Sequence, residues 1–146
     1  MNKIEVVSLD RKIVAFGRGI KSILKISLEK LRQDNKAVEI YLVGSAEMRF
    51  LNKAFRRKNK PTNILSFKEP ADFIYPKSRF KRLGEIYVAI PYIKKQVWGN
   101  KKGEDRKAAL KKLLIHGLLH LLGYTHGSER DKIKMEKKEQ KLLRNV

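Results

Sequence analysis

The sequence has no cysteine among its 146 residues, which excludes disulfide bonds and every metal site built on thiolates. It also lacks any apolar run near the ~20 residues that cross a bilayer. The first residues, MNKIEVVSLDRK, carry charges inside the apolar stretch and offer no small-residue cleavage site, so they do not resemble a secretory signal. These absences predict a cytoplasmic protein that has no membrane partner.

Acidic residues are scarce: 15 Asp and Glu stand against 35 Lys and Arg, which gives a net charge of +20 and a pI near 10.3. Such an excess opposes compaction and is typical of proteins that bind a polyanion, above all nucleic acid. The alternative is a lysine-rich thermophile surface, but those surfaces are usually enriched in glutamate as well. With 42% hydrophobic residues, the chain is predicted to form a single domain over residues 1–146.

Hydrophobic periodicity predicts an α+β fold in the order β-α-β-α-β-β-α-α, with a small mixed sheet of about four strands packed with helices. The predicted strands are 3–9, 37–43, 64–67 and 84–90. The predicted helices are 17–32, 45–57 with Ser45 as N-cap, one opened by Pro91, 104–122, and one capped by Ser128 that runs to about 143. The proline-containing segment 69–83 is predicted to be a long surface loop.

All three histidines of the chain lie in the stretch HGLLHLLGYTH, residues 116–126. His116 and His120 are four residues apart, so on a helix they project from one face and can share a ligand. The leucines around them predict that this helix is buried, where an imidazole needs a partner. Gly123 can take the left-handed conformation that turns the chain back, which would bring His126 towards the other two. The pattern therefore favours a three-histidine metal site over histidines that merely pack in the helix.

The residue types at this site indicate whether its metal is structural or catalytic. Structural zinc sites are usually closed by four protein ligands, commonly including cysteine, whereas catalytic sites keep a position open. Three histidines without cysteine predict a catalytic, hydrolytic site with one Zn²⁺ per chain, although other divalent metals are possible. Metzincin peptidases share the spacing H-x-x-x-H-x-x-G-x-x-H, but their general base is a glutamate after the first histidine. Gly117 stands at that position here and argues against a peptidase.

The histidine stretch closely resembles HGxLHLxGYDH, the signature of the YbeY family of bacterial rRNA-maturation endoribonucleases. The stretch LNKAFRRKNKPTNILSF (51–67) is similar to the family's LNxxyRgkdkPTDVLSF, and LGEIYVAI (83–90) is similar to its LGDIxI strand. The resemblance covers the chain from about residue 40 onward. The sequence departs from the family pattern at four positions. Thr125, Asn59 and Glu85 stand where the family has aspartate, and Arg57 stands where it has glycine.

The resemblance implies a single α+β domain with a metal, generally taken as zinc, held by His116, His120 and His126. It implies that Arg56 is the family's functionally important arginine. It further implies cleavage of single-stranded RNA, maturation of the 3′ end of small-subunit rRNA, and ribosome quality control. The implied partners are single-stranded RNA, ribosomal RNA and the small ribosomal subunit.

Arg56 is the predicted catalytic residue, because its guanidinium could pair bidentately with the scissile phosphate. The alternative is a surface arginine stabilised by the C-terminal end of a helix dipole. The predicted substrate-binding residues are Arg57, Lys58, Lys60, Asn63 and Ser66, of which the last two could instead cap turns.

Four stretches concentrate positive charge. RNA is expected to cross the first two, 53–60 and 77–82, where Phe55, Tyr75 and Phe80 could stack on bases. The other two, 101–112 and 130–138, are expected to be solvated helix faces.

No general base is visible in the sequence, which leaves open whether water or the RNA's own 2′-hydroxyl attacks the phosphate. Two further hypotheses therefore remain. One is a non-catalytic, ribosome-associated RNA-binding protein with a structural metal, and the other is a metallopeptidase.

Overall fold

Four strands form one mixed sheet in the computed structural model, which describes residues 1–70 and 77–146. The strands are β1 (Lys3–Ser8), β2 (Lys36–Val43), β3 (Ile64–Lys68) and β4 (Lys81–Ala89). Their order is β1-β2-β4-β3. β1, β2 and β4 run parallel, and β3 lies antiparallel to β4 at one edge. The predicted α+β class with a small mixed sheet is confirmed.

The helices follow the predicted order. They are α1 (Gly17–Lys30), α2 (Ser45–Arg56), the short α3 (Ile90–Tyr92), α4 (Glu104–Leu121) and α5 (Glu129–Asn145). A π-helical turn, Ile93–Trp98, continues α3, and a 3₁₀ helix that the periodicity did not predict spans Arg11–Phe16. Within the described ranges, no helix has the length and apolar character needed to cross a bilayer.

The main core lies between one face of the sheet and the helices α1 and α4. Alternate residues of β2 and β4 point into it, because side chains along a strand alternate between the two faces of a sheet. The C-terminal half of α4 is buried, as predicted, and α5 packs against it. The fully buried residues of that half and its α5 partner include Leu114, Ile115, Leu118, Leu119 and Met135.

The opposite face of the sheet is covered in part by α2. Met48 of α2 is fully buried against β2, β3 and β4, through Val43, Leu65 and Ala89. β3 therefore has α4 on one face and α2 near the other. This arrangement brings the C-terminal end of α2, the edge strand β3 and helix α4 together.

Two local predictions are wrong. Gly44, in extended conformation, is the N-cap of α2, and Ser45 is its first helical residue. β4 begins at Lys81, so the predicted loop 69–83 is too long. The Lys81 N–H donates to the Asn35 carbonyl at 2.8 Å, and residue 81 pairs with Lys36 of β2. Backbone pairing thus extends the strand despite its charged side chains, while residues 71–76 of the predicted loop lie outside the described residues.

Candidate functional site

The three predicted metal ligands come together at the C-terminal end of α4. After Leu122 the chain turns at Gly123, whose φ of +100° is in the region that favours glycine. The Tyr124 N–H then donates to the Leu119 carbonyl at 3.0 Å, and the chain returns beside the helix. One ring nitrogen from each of His116, His120 and His126 lies within 4.8 Å of the others, a group that could hold a metal ion.

Oxygen acceptors lie beside the Nδ1 atoms of the first two imidazoles. The Nδ1–H of His120 donates to the Tyr124 carbonyl at 3.0 Å, and Nδ1 of His116 lies 3.5 Å from Oε1 of Glu139. Both partners accept, so they favour the tautomers that carry hydrogen on Nδ1 and leave a lone pair on Nε2. The two Nε2 atoms are only 3.1 Å apart.

This separation fits a metal centre. Two neutral imidazoles that direct lone pairs at each other repel unless a cation lies between them. Nitrogen ligands 2.0–2.1 Å from a tetrahedral Zn²⁺ lie roughly 3.3–3.4 Å apart, close to the observed distance between the two Nε2 atoms. The donor set, all imidazole and with His126 as the third member, is one that zinc commonly takes.

The electrostatics of the site favour the neutral form of its central histidine. Burial lowers the pKa of His120 below its ordinary value, and the nearby His116, His126 and Arg56 lower it further. Metal binding requires the neutral imidazole, so this shift favours a ligand. His126 is more exposed, and its Nε2 lies 3.1 Å from the thioether sulfur of Met135.

Glu139 of α5 is a site residue that the sequence reasoning missed. Its side chain is buried, with the residue only 8% exposed, and its carboxylate lies behind His116. The spacing of Met135, Glu139 and Leu142 at i, i+4 and i+7 places all three on the buried face of α5. That acidic residue within an otherwise apolar helical stripe is the signal that could have identified it.

Thr125 stands where the family pattern has aspartate. Its hydroxyl donates to Asp131 at 3.4 Å and accepts from the Gly127 N–H at 3.5 Å. The orienting partners of His116 and His120 are instead the Glu139 carboxylate and the Tyr124 carbonyl. In this chain, the partners of these two imidazoles therefore do not include a charged side chain at position 125.

The histidines open into a cavity of about 570 Å³, here called the histidine cavity, which is lined in part by His116, His120 and Glu139. Two predicted substrate-binding residues, Asn63 and Ser66, line it as well. The predicted catalytic residue Arg56 also lines it, from the C-terminal end of α2. The structure thus places the predicted arginine on the same cavity as two of the three predicted ligands, His116 and His120.

The other three predicted substrate-binding residues do not line this cavity: Arg57, Lys58 and Lys60 are exposed beside it. Arg57 ends α2 with a left-handed backbone (φ 59°), the conformation that favours the glycine of the family pattern. Buried Asn52 fixes the loop that follows, because its side-chain N–H donates to the Lys60 carbonyl at 2.8 Å. Substrate binding by these three residues stays a prediction.

Lys112 is a second residue that the sequence reasoning missed, since it belongs to a stretch assigned to a solvated helix face. It lies one helical turn before His116 on α4 and lines the histidine cavity. Its i−4 spacing from a predicted ligand is the signal that could have identified it. Together with Arg56, it places positive charge beside the neutral nitrogen donors, where a phosphate can bind.

Gly117 packs α4 closely against β3. The Ser66 hydroxyl donates to the Gly117 carbonyl at 3.2 Å, and a Cβ at position 117 would lie 2.9 Å from the Ser66 oxygen. A glutamate, the general base of metzincin peptidases at this position, has no room here. The packing agrees with the argument from sequence against a peptidase.

Comparisons with known proteins identify relatives of this chain. The family model described as Endoribonuclease YbeY matches residues 3–146. A protein of Persephonella marina named Endoribonuclease YbeY is 36% identical over 128 residues, which cover 87% of this chain and 81% of the relative. A protein of the same name from Buchnera aphidicola subsp. Cinara cedri is 34% identical over 146 residues, covering 99% and 90% of the two chains. The solution structure of TM1509 from Thermotoga maritima superposes with a TM-score of 0.61 at 26% identity, covering 98% of this chain and 87% of the other.

Proposed function

Because the chain belongs to the endoribonuclease YbeY family, we propose that it is a metal-dependent endoribonuclease specific for single-stranded RNA. Its substrate in this proposal is ribosomal RNA, in the late maturation of the 3′ end of the small-subunit rRNA and in ribosome quality control. It acts in the cytoplasm, on the small ribosomal subunit, as one domain over residues 1–146. The observation that carries the proposal is the convergence of three histidines, two of which, His116 and His120, line one cavity with Arg56.

The proposed cofactor is Zn²⁺, one ion per chain, held by His116, His120 and His126. The 3.1 Å separation of two facing Nε2 atoms supports this choice, as does the low pKa of His120. When bound, such an ion supplies Lewis-acid stabilisation of negative charge on a phosphoryl oxygen. Glu139 and the Tyr124 carbonyl hold the imidazoles in the orientation that binding requires.

Arg56 is the proposed catalytic residue. Arg56 lines the same cavity as His116 and His120. Its planar guanidinium can donate two parallel hydrogen bonds to non-bridging phosphate oxygens, whose negative charge grows as the phosphodiester is attacked. Lys112 lines this cavity too and can neutralise a neighbouring phosphate, while Asn63 and Ser66 offer polar contacts to sugar or base.

The size of the histidine cavity supports a preference for single strands. At about 570 Å³ it is comparable to a small-molecule pocket and suits an unstacked nucleotide better than a base-paired helix. Sequence-selective proteins commonly recognise RNA in this unstacked form.

Metal analysis combined with RNA cleavage tests the proposal, using the parent protein, His116→Ala, Arg56→Ala and the control Lys25→Ala. Lys25 is exposed on α1, lies outside the stretches expected to contact RNA and does not line the cavity. We expect one zinc per parent chain, no metal and no cleavage in His116→Ala, and retained metal with cleavage lowered about 10²–10³-fold in Arg56→Ala. The control should match the parent, and duplex RNA should resist cleavage.

Two results would contradict the proposal. If His116→Ala, freed of contaminating nucleases, cut RNA as well as the parent, the metal site would not be the catalyst. If the zinc-loaded parent bound RNA but never cut it, the chain would be a non-catalytic, ribosome-associated RNA-binding protein with a structural metal.

A further inference from the structure

A second and larger cavity lies at the end of the sheet where β2 and β4 begin. It measures about 1170 Å³ and is here called the basic cavity, because seven of the eighteen residues that line it are lysine or arginine and only Glu69 is acidic. The proposed nuclease chemistry uses none of these cations.

Five of the seven cations have no carboxylate partner among the residues that the structure describes. Arg82 is bound by Glu39 at 2.5 Å and lies 3.6 Å from Glu69, and Lys3 pairs with Glu5. The other five are Lys36, Lys68, Lys77, Lys81 and Lys138. Across residues 1–70 and 77–146, none of these five has a carboxylate within 4.0 Å. Lysines gathered around one space repel each other, so the cavity is suited to a polyanion.

The other residues that line the basic cavity indicate which kind of polyanion it suits. Phe80 and Tyr124 contribute aromatic side chains to a cavity that also has apolar walls. Aromatic faces beside a lysine-lined groove are typical of sites that bind single-stranded nucleic acid, where bases stack and the backbone follows the charges. The volume exceeds the ~300–1,000 Å³ of small-molecule sites, which favours a strand segment over a free nucleotide.

The basic cavity adjoins the histidine cavity. Three elements supply residues to both cavities. Residues of the two linings lie one or two positions apart at Ser66 and Lys68 on β3, His120 and Leu121 on α4, and Glu139 and Lys138 on α5. The Lys68 ammonium lies at the boundary, 3.6 Å from the position that a Cβ on Gly123 would occupy. Gly123 is the turn that returns His126 to the other histidines, so the Lys68 ammonium lies close to the turn that positions the third ligand.

We propose that the basic cavity binds a flanking segment of the same single-stranded RNA whose phosphodiester is cleaved in the histidine cavity. The inference rests on the proposed nuclease function, and it adds a length requirement. A strand that fills only the histidine cavity forgoes the lysine contacts, whereas a longer strand makes both sets and binds more tightly.

The test compares two triple variants that each remove three positive charges. Lys36→Gln/Lys81→Gln/Lys138→Gln alters the basic cavity, and Lys12→Gln/Lys21→Gln/Lys25→Gln alters exposed lysines that line neither cavity. Binding and cleavage of single-stranded oligoribonucleotides, one of about 5 and one of about 15 nucleotides, are measured across a salt series. These lengths are chosen because single-stranded sites span ~4–16 nucleotides.

For the cavity variant we expect affinity for the longer strand to fall roughly 10–100-fold at 0.1 M salt, and the salt slope to decrease by about 2, since each phosphate contact contributes ~0.7. Its cleavage of the shorter strand should equal that of the parent, and the control variant should bind the longer strand within a few-fold of the parent. If the triple cavity variant unfolds in lower urea than the parent, Lys68→Gln alone serves, with an expected loss of about fivefold.

Failure of the inference and failure of the proposed function give different results. Equal losses in the two triple variants, or a parent that binds both strands equally well, would overturn the second site while cleavage continues. A parent that cuts neither strand yet shows the lysine-dependent preference for the longer one would refute the nuclease and support the binding site.

Discussion

Glu139 is placed to act on the candidate metal centre through the imidazole of His116. Its carboxylate lies 3.5 Å from Nδ1 of His116, opposite the nitrogen that faces His120. A carboxylate in this position holds the ring in place and increases the electron density on the ligating nitrogen. Both effects strengthen metal binding.

Replacing Glu139 by glutamine should lower zinc affinity about 10–100-fold, because the amide keeps the size of the side chain but removes its charge. Competition with a chelator of known affinity measures this directly, without recourse to cleavage. Glu136→Gln is the matched control, since Glu136 lies on the same helix and is exposed. Equal zinc affinity in the two variants would mean that Glu139 only fills space.

The sequence predicts well those site residues that lie close to one another along the chain. The histidines lie within 11 positions of one another, and helix geometry with one glycine turn was enough to bring them together. Glu139 comes from another helix, and its place depends on how α5 packs on α4. Periodicity alone does not show which helices pack against each other, although it does show which face of α5 is buried.

At the scale of elements, the contact between α4 and β3 sets the position of the metal ligands. Gly117 lies one residue after His116, and its missing side chain lets the helix backbone come close enough for the Ser66 hydroxyl to bond its carbonyl. A Cβ at position 117 would lie 2.9 Å from the Ser66 oxygen, so either the Ser66 hydroxyl would give up its bond to the Gly117 carbonyl or α4 would move away from the sheet.

Gly117→Ala should destabilise the fold by about 1 kcal/mol. Alanine gains ~1 kcal/mol in helix propensity, but overpacking against Ser66 costs ~1–3 kcal/mol. Gly19→Ala is the control, because Gly19 lies in α1 with nothing within 4 Å of the position that a Cβ would take. It should instead stabilise the protein by up to ~1 kcal/mol. Urea unfolding of both variants gives the two free energies, and a stabilised Gly117→Ala would contradict the close packing described above.

The limits of the helices and strands show which parts of the fold a local sequence pattern predicts and which it does not. Strands and helices with strong apolar periodicity begin and end within two residues of their predicted limits, as α4 does. The start of β4 was missed because Lys81 and Arg82 have the composition of a loop. What makes them a strand is pairing with β2, a partner more than 40 positions away, which no local pattern encodes.

For the molecule as a whole, a net charge of +20 means that the few acidic residues can pair with only some of the many basic ones. Glu39 accepts from Arg82 and, at 2.7 Å, from the Tyr41 hydroxyl on the open face of the sheet. The Arg82 hydrogen bond holds the pKa of Glu39 below its ordinary value of 4.5, and the bond to Glu39 raises the pKa of Tyr41 to about 12. These bonds link the adjacent strands β2 and β4.

This link makes stability depend on pH. Because the folded-state pKa of Glu39 lies below its unfolded value, the stabilisation is complete above pH 4.5 and disappears as the pH falls through the folded-state pKa. Glu39→Gln should therefore cost about 1 kcal/mol near neutral pH, an ionic hydrogen bond discounted for solvent screening, and match the parent in strong acid. Urea unfolding from neutral to acidic pH measures the difference. Glu29→Gln, exposed on α1, should track the parent throughout.

Composition predicted a polyanion partner, but not where on the surface the charge is concentrated. The basic cavity gathers lysines from both ends of the chain, Lys3 and Lys138 among them, and this convergence exists only in the folded molecule. The same holds for the pairing of Arg82 with two glutamates. A count of charges cannot separate the neutralised cations from the available ones.

The histidine cavity takes residues from Arg56 to Glu139, 83 positions apart along the chain (139 − 56). Such contacts have a high contact order, and the entropy of closing long loops has to be overcome before they form. We therefore expect the cavity to be completed late in folding, when α5 docks on α4 and brings Glu139 and Met135 behind the imidazoles. A chain that has folded only as far as the sheet would have neither the ordered set of metal ligands nor the complete basic cavity, because Lys138 also comes from α5.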